Sequence, residues 1–520
     1  MSLASSPAAL RNCATMEAVV ARDGPFTYKR HEPEKTLLYQ VVAAEWRTWR
    51  AERKADLSRS PLPKHVDREV EAFLRCGILE YGFVLCACDD CGKEIPVATS
   101  CKTRGFCPSC AAKRQAETTA HLVDNVLPDV PWRQYVTTFP HALRFWMAAS
   151  RLLTNIVHRI VADEIMGYYL GKAEERGIRD AHAGGATFVQ RFGSALQLNV
   201  HLHSLVAEGV WSVASGEPVF YHLPGPNDDE VASLVEAVAD KVVTMLREKS
   251  YLSEEGAEVD LPPEIDREFA DSQQWQAAVT ASSFMRVAFG PHAGEKVRRI
   301  GRGFGYMEEI PFAKGRRCYS INGFTIHANR FIGARERDKL EGLVSYVARG
   351  AFSHKRLSLA DPDDPDGELV YQLKTPWSDG TSAILLSRGE LIEKLVALVP
   401  PPYLHTSRYF GVLSPHSKWR RSIVLRPFVK KGFVATGDGD KVKRMNWSRL
   451  LARTYKIDIT VCLVCGGRVK PENCEAVLNP AIIPHVLLAL GLRYHPPPIA
   501  PSRLGWDESD IDQRPTDSDD

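Results

Sequence analysis

At 520 residues, 44% hydrophobic and 25% charged, the chain is long enough for two to four domains with true cores, and its composition excludes a wholly disordered polymer. Lys+Arg (66) nearly balances Asp+Glu (64), so total charge names no partner, although basic clusters at Lys296–Arg302, Lys314–Arg317, Lys418–Arg421 and Lys441–Arg444 gather in the second half. Neither a long unbroken apolar run nor a basic-then-apolar leader is present, which predicts a cytoplasmic protein that is neither exported nor embedded in a membrane.

Residues 1–35 are turn-rich and predict no fold. Leu37, Leu38, Val41, Val42 and Trp46 fall at helical spacing and predict a helix over 35–54, with a second over 65–74. Next come Cys88 and Cys91, fifteen residues, then Cys107 and Cys110. Each Cys-x-x-Cys turn delivers two sulfurs to a tetrahedral ion, and the short segment between them buries too little apolar surface to fold unaided. The spacing predicts a structural four-thiolate zinc site inside a domain spanning 36–130. Cys76, Cys86 and Cys101 are surplus, and spacing leaves open whether one of them replaces a ligand. In so large a chain without an export signal, clustered cysteines favour metal over disulfides.

A strand is predicted over 134–139, a long amphipathic helix over 142–171, and a second strand over 186–191. Gly193-Ser194 then signals a turn into Gln197-Leu198-Asn199-Val200-His201-Leu202-His203. Alternation puts Gln197, Asn199, His201 and His203 on one face and Leu198, Val200 and Leu202 on the other. Two imidazoles facing the same way can form half of an open metal site. The bland reading is a pair of satisfied sheet histidines. Gln190 on the preceding strand and His327 on a later one, 322–331, are alternative third ligands.

A helix over 334–348 carries Tyr346 near its end, where a tyrosine is ordinarily just a helix-face residue. Another helix over 387–398 closes on Pro400-Pro401-Pro402. Cys462 and Cys465 form a lone knuckle, a candidate second metal site that Cys474 and His485 could complete. Residues 496–520, rich in proline and then acidic, read as disordered.

Several of these motifs, in this order, carry a family resemblance. Phe192-Gly193-Ser194-Ala195 leading into Asn199-Val200-His201-Leu202-His203, the segment Ser100 to Cys110, Tyr346-Val347-Ala348-Arg349, Leu373 to Thr381, and Cys462-Leu463-Val464-Cys465-Gly466-Gly467 together resemble the HUH transposases of the insertion-sequence-ninety-one family. The likeness runs from about Cys76 to Leu492.

It implies an α+β fold: an HUH-nuclease-like antiparallel sheet with helices on one side, preceded by a small zinc module. It further implies a nuclease domain over 131–360, a DNA-associated region over 361–450 and a small cysteine module over 451–495. By the same resemblance, His201 and His203 match the paired ligands of a catalytic divalent ion, magnesium or manganese, and Tyr346 matches the nucleophile. Some relatives carry a second tyrosine four residues on, and the family often has proline after the arginine of that motif. Here Gly350 stands at that position, which predicts a single-tyrosine enzyme.

The implied chemistry is nicking of single-stranded DNA through a 5′-phosphotyrosine, leaving a 3′-hydroxyl. A phenol is a weak nucleophile until a metal or base favours the phenolate. One phosphoester replaces another, so transfer is reversible and needs no ATP, in keeping with the lack of a Gly-x-x-x-x-Gly-Lys-Ser/Thr loop. A host helicase and a homo-oligomer are expected partners besides DNA. The competing readings are a catalytically decayed zinc-dependent DNA-binding protein and a rolling-circle replication initiator or relaxase.

Overall fold

The computed structural model describes residues 31–252, 265–301, 315–424, 462 and 464–504. The expectations placed on residues 1–30, on the Lys441–Arg444 cluster and on the acidic end from 505 lie outside the described residues.

α1 (Leu37–Ala55) begins where the Thr36 hydroxyl accepts from the Tyr39 N–H, and it buries Leu38, Val41, Val42, Trp46 and Trp49. α2 (Lys64–Arg75) packs beside it, with Trp46 Nε1 donating to Glu71 Oε1 at 2.8 Å. β1 (Phe83–Cys88) and β2 (Glu94–Ala98) make a hairpin, followed by α3 (Pro108–Asn125), whose proline sits in the first turn where its missing N–H costs nothing. β3 (Trp132–Thr138) leads into α4 (His141–Ala149) and α5 (Arg151–Glu175). Periodicity predicts these two as one helix. They break because Ser150 turns extended and its hydroxyl accepts from the Leu153 N–H, capping α5.

β4 (Ala181–His182), β5 (Gly184–Phe192), β6 (Leu198–Ala207), β7 (Gly209–Ser212) and β8 (Val219–His222) come next. After them run α6 (Asp228–Glu248), α7 (Arg267–Ala270), α8 (Gln273–Ser283), β9 (Arg298–Ile300), β10 (Cys318–Ile321), β11 (Phe324–Ile332) and α9 (Arg337–Val347). The chain continues through β12 (Leu357–Leu359), β13 (Leu369–Gln372), β14 (Ala383–Leu386), α10 (Arg388–Leu398), β15 (Ser407–Gly411) and α11 (Arg420–Ile423), and then β16 (Val469–Val477) and α12 (Ile483–Ala489).

The central layer is a six-stranded antiparallel sheet in the order β10-β11-β3-β6-β5-β15, with the His-x-His strand β6 in its interior. The α+β class and the antiparallel sheet agree with the sequence reading; the helices do not lie on one side. Leu198, Val200, Leu202 and Val206 belong to the core shared with α4, α5, α6 and α8. On the opposite face Leu205 and Ala207 continue the histidine row into a second core under α3 and α9. The apolar end of that row obliges cover, because each aliphatic side chain removed from water contributes roughly 1.5–3 kcal/mol.

Between β3 and β6, Arg133 meets Glu208 in a buried two-pronged pair at 2.6 and 3.0 Å, and the guanidinium also donates to the Ala328 carbonyl on β11 at 2.7 Å. Removing one member would strand a buried charge, a loss of roughly 3–5 kcal/mol. The pair ties three neighbouring strands together.

The expected boundaries at 360 and 451 are not kept. β15 joins the edge of the central sheet beside β5, so that sheet draws on residues 132–411. β16 pairs with β1 in a three-stranded sheet β16-β1-β2, which joins the last cysteine pair to the first zinc module. A four-stranded sheet, β12-β13-β14-β9, carries the loop between β13 and β14 back toward the end of α9. Residues 496–504, predicted disordered, lie along α1: the Ala500 N–H donates to the Ala43 carbonyl at 2.9 Å and the Arg503 N–H to Thr48 Oγ1 at 3.1 Å. Among the described residues no helix is long and apolar enough to cross a membrane.

Candidate active site and cysteine clusters

The hairpin of β5 and β6 positions the two histidines. Its turn closes with the Gly193 N–H on the Gln197 carbonyl at 2.8 Å and the Ala195 N–H on Gln197 Oε1 at 2.9 Å. Gln197 is therefore spent in the turn, outside the strand face predicted for it. His201 and His203 do share a face, with ring centroids 4.9 Å apart. His201 Nδ1 lies 2.8 Å from the Asn199 carbonyl, which can only accept, so Nδ1 carries the hydrogen and Nε2 keeps its lone pair. His203 Nδ1 lies 2.8 Å from the Gln134 amide nitrogen. A half-turn of that carboxamide would present its oxygen instead and leave His203 with the same free Nε2.

Burial pushes His201 down to about 4 and His203 down to about 3, the latter aided by His201 and Arg349. Both rings are neutral at pH 7, the form a metal takes.

Gln190 stands directly across from His201 in the β5–β6 register. It is 3% exposed; its amide nitrogen donates to the Val347 carbonyl at 2.8 Å, and its buried Oε1 has no partner among the described residues. A buried acceptor left unmatched is costly unless something fills its place. His327 lies in the same register row as His203 but with β3 between them, two interstrand spacings or roughly 10 Å away. Among the described residues the histidine pair gathers no third His, Cys, Asp or Glu within ligating reach.

α9 brings Tyr346 to this face. Leu340, Leu343, Val344 and Val347 are buried under it, and Gln115 of α3 donates to the Ser345 carbonyl and hydroxyl, each at 2.8 Å. Tyr346 remains 39% exposed, its ring edge-on to that of His203 with 6.1 Å between centroids. Two cations cover the phenol: the Arg349 guanidinium is 4.5 Å and the Lys374 ammonium 4.8 Å from the ring centroid. Sequence reasoning assigned neither a role. The signal was their place inside motifs already noted, three residues after the tyrosine and within Leu373–Thr381.

A cleft of about 1190 Å³ opens in front of Tyr346. Lys113, Arg349, Lys355, Arg356 and Lys374 line it together with Phe192, Phe352 and Trp377, and among the described residues no carboxylate does. Cations beside aromatic faces are the combination that grips a single-stranded sugar-phosphate chain and stacks its bases.

The six cysteines of the expected metal sites regroup, joined by two of the surplus ones, Cys76 and Cys101. Cys107 and Cys110, at the start of α3, gather with Cys76 and Cys101; Cys88 and Cys91 gather with Cys462 and Cys465. The single site predicted from Cys88, Cys91, Cys107 and Cys110 does not form. The β1–β2 hairpin separates its halves: Cys88 and Cys91 occupy the turn, whereas Cys76 and Cys101 flank the open end, where the Gly77 N–H donates to the Thr99 carbonyl at 2.8 Å. Cys474 is disulfide-bonded to Cys86, its cross-strand partner, and His485 is not gathered with Cys462 and Cys465, so neither completes that site.

Zinc fits the first cluster. Its sulfurs are 3.7 Å apart for Cys76 and Cys110, 3.7 Å for Cys76 and Cys107, and 3.3 Å for Cys101 and Cys110. Zn–S bonds of about 2.3 Å require tetrahedral edges of about 3.8 Å.

Comparison with known proteins agrees with this architecture. Residues 44–139, which contain the first cluster, match the family model described as "Transposase zinc-binding domain", and residues 184–421, which contain the histidines and Tyr346, match the one described as "Putative transposase". The two matches together resemble a transposase that carries a zinc-binding module. The transposase for insertion sequence element IS801 of Pseudomonas savastanoi pv. phaseolicola is 25% identical over 421 residues, covering 78% of this chain and 83% of the relative. Over most of its length the chain is thus similar to an insertion-sequence transposase. No solved structure matches it.

Proposed function

We propose that the protein nicks and transfers single-stranded DNA at the ends of a mobile element, with Tyr346 as nucleophile and His201, His203 and Gln190 as ligands of a catalytic ion. The observation that carries this reading is the meeting of the Tyr346 and His203 rings on a face where Gln190 Oε1 lacks a partner among the described residues. A divalent ion such as Mg2+ or Mn2+ held by His201 Nε2, His203 Nε2 and Gln190 Oε1 would draw charge from a scissile phosphate.

The chain's own groups do the rest. Arg349 and Lys374 lie over the Tyr346 ring, where their positive charge can pair with the phosphate under attack. The tyrosine oxygen bonds to phosphorus as the bond to the 3′ oxygen breaks. That oxygen takes up a proton, giving a 5′-phosphotyrosine and a free 3′-hydroxyl. Lys355, Arg356 and Trp377 hold the strand along the cleft. An incoming 3′-hydroxyl reverses the exchange on a new strand, which is the rolling-circle mode of transposition.

The test uses single-stranded oligonucleotides spanning the DNA on both sides of the chain's own coding sequence, with Mn2+. Wild-type protein is expected to become covalently linked to a 5′ phosphate, and Tyr346→Phe to bind the strand without linking. Linkage that persists in Tyr346→Phe would falsify the assignment of the nucleophile. Binding without linkage by the wild type favours the decayed DNA-binding reading.

A further inference from the structure

The second cysteine cluster lies outside both family matches on its C-terminal side, since neither reaches residue 462. We propose that Cys88, Cys91, Cys462 and Cys465 hold a second zinc ion, a clasp that fastens the C-terminal segment to the N-terminal module. This does not depend on the nuclease reading.

The sulfur geometry supports an ion shared by all four. Cys88 and Cys465 are 3.6 Å apart, as are Cys91 and Cys462, and all four sulfurs lie within 4.8 Å of one another. Edges near 3.8 Å are those of a zinc tetrathiolate. Two separate disulfides would leave no reason for the pairs to converge.

The backbone is built to the same end. Both halves are the same turn: the Gly92 N–H donates to the Cys88 carbonyl at 3.0 Å, and the Gly466 N–H to the Cys462 carbonyl at 2.9 Å. Each glycine has a left-handed φ, 69° and 72°, that side chains rarely adopt. The Val464 and Gly467 N–H groups point at the sulfurs of Cys462 and Cys465, at 3.5 and 3.3 Å, and N–H donors of this kind stabilise thiolates bound to metal.

The Cys86–Cys474 disulfide ties β1 to β16 beside the knuckles, but among the described residues little apolar packing closes this end of the molecule. Cys88, Cys462 and Val469 form a small buried cluster of their own, and Leu79, Phe83, Ile483 and Leu487 form another. Cores of that size do not hold a three-stranded sheet assembled from segments more than 370 residues apart. The β1–β16 ladder and the Asp89 N–H on the Arg468 carbonyl bring the knuckles into reach; the ion locks them.

Metal content of the full-length chain, purified under reducing conditions, tests this. Two zinc ions per chain are expected, falling to one in Cys465→Ser and one in Cys101→Ser, with two kept in Cys465→His, since imidazole replaces thiolate as a ligand. One zinc per chain in the wild type, or two in Cys465→Ser, overturns the proposal. Should the serine variants fail to fold, cobalt titration of the wild type decides. The visible bands of thiolate-bound Co2+ are expected to grow to two equivalents, and saturation at one overturns it.

Discussion

A β-carbon on Gly350 would fall 2.5 Å from the β-carbon of Ala111, the residue that follows Cys110 in the first turn of α3. The helix bearing Tyr346 ends against the helix that starts at the first cysteine cluster. A side chain at position 350 would have to displace Ala111.

Gly350→Ala is therefore expected to destabilise the protein by roughly 1–3 kcal/mol, the usual cost of overpacking a rigid contact. Ala111→Gly in the same chain should recover most of that loss, because the two positions share one clash. Equal denaturation midpoints for Gly350→Ala and wild type would show that α3 gives way freely.

Lys374 and Arg349 cover the phenol, and their removal should affect cutting more than folding. Lys374→Met and Arg349→Met are each expected to slow covalent linkage by roughly 10- to 100-fold, the worth of one charge-assisted contact at about 1.5–3 kcal/mol. Lys374→Arg should keep most of the rate. Unchanged rates in both methionine variants would leave the cations as ordinary surface groups.

Gln190 is the third ligand in the proposed site, and metal dependence can test it. Gln190→Leu should raise the Mn2+ concentration needed for half-maximal linkage by about 10- to 100-fold, the scale of losing one partner in a metal site. Gln190→Glu, which keeps an oxygen and adds charge, should lower it. A matching shift in His327→Ala, with none in Gln190→Leu, would move the third ligand to β11.

Glu393 on α10 is 3% exposed and accepts from the Ala288 and Phe289 N–H groups at 2.7 and 3.2 Å. Burial outweighs these donors and pushes its carboxyl up to about 7, from 4.5. A carboxyl that holds its proton more tightly when folded adds stability in full below the unfolded value. That contribution fades as pH rises and is gone above the folded value. Stability should therefore fall by roughly 3 kcal/mol between these two values, at 1.36 kcal/mol per pKa unit. Denaturant titrations across that range should show the slope, and Glu393→Gln should flatten it. A slope that survives in Glu393→Gln assigns it to another group.

The sheet and its histidine pair were legible because strand alternation is a strict rule, and Leu198, Val200 and Leu202 obey it. The helices on the histidine side were missed because the pattern was followed only to His203. Two residues further, Leu205 and Ala207 turn that face apolar and require α3 and α9 above it. The cysteine pairing was misread from spacing alone. A signal was present: Cys91-Gly92 and Cys465-Gly466 end two matching Cys-x-x-Cys-Gly turns, whereas Cys107-Pro108 opens a helix. Like turns met like. Nothing in local sequence gave the place of Gln134, because it meets His203 only through the pairing of β3 with β6, strands distant in the chain.

The β1–β16 ladder also sets a schedule for synthesis. Cys88 leaves the ribosome 377 residues ahead of Cys465. At about 5–20 residues per second, that is roughly 20 to 75 seconds. Throughout that interval β1 has only β2 as a neighbour, and its other edge waits for a strand not yet translated. The end of the molecule made first is thus among the last to be completed.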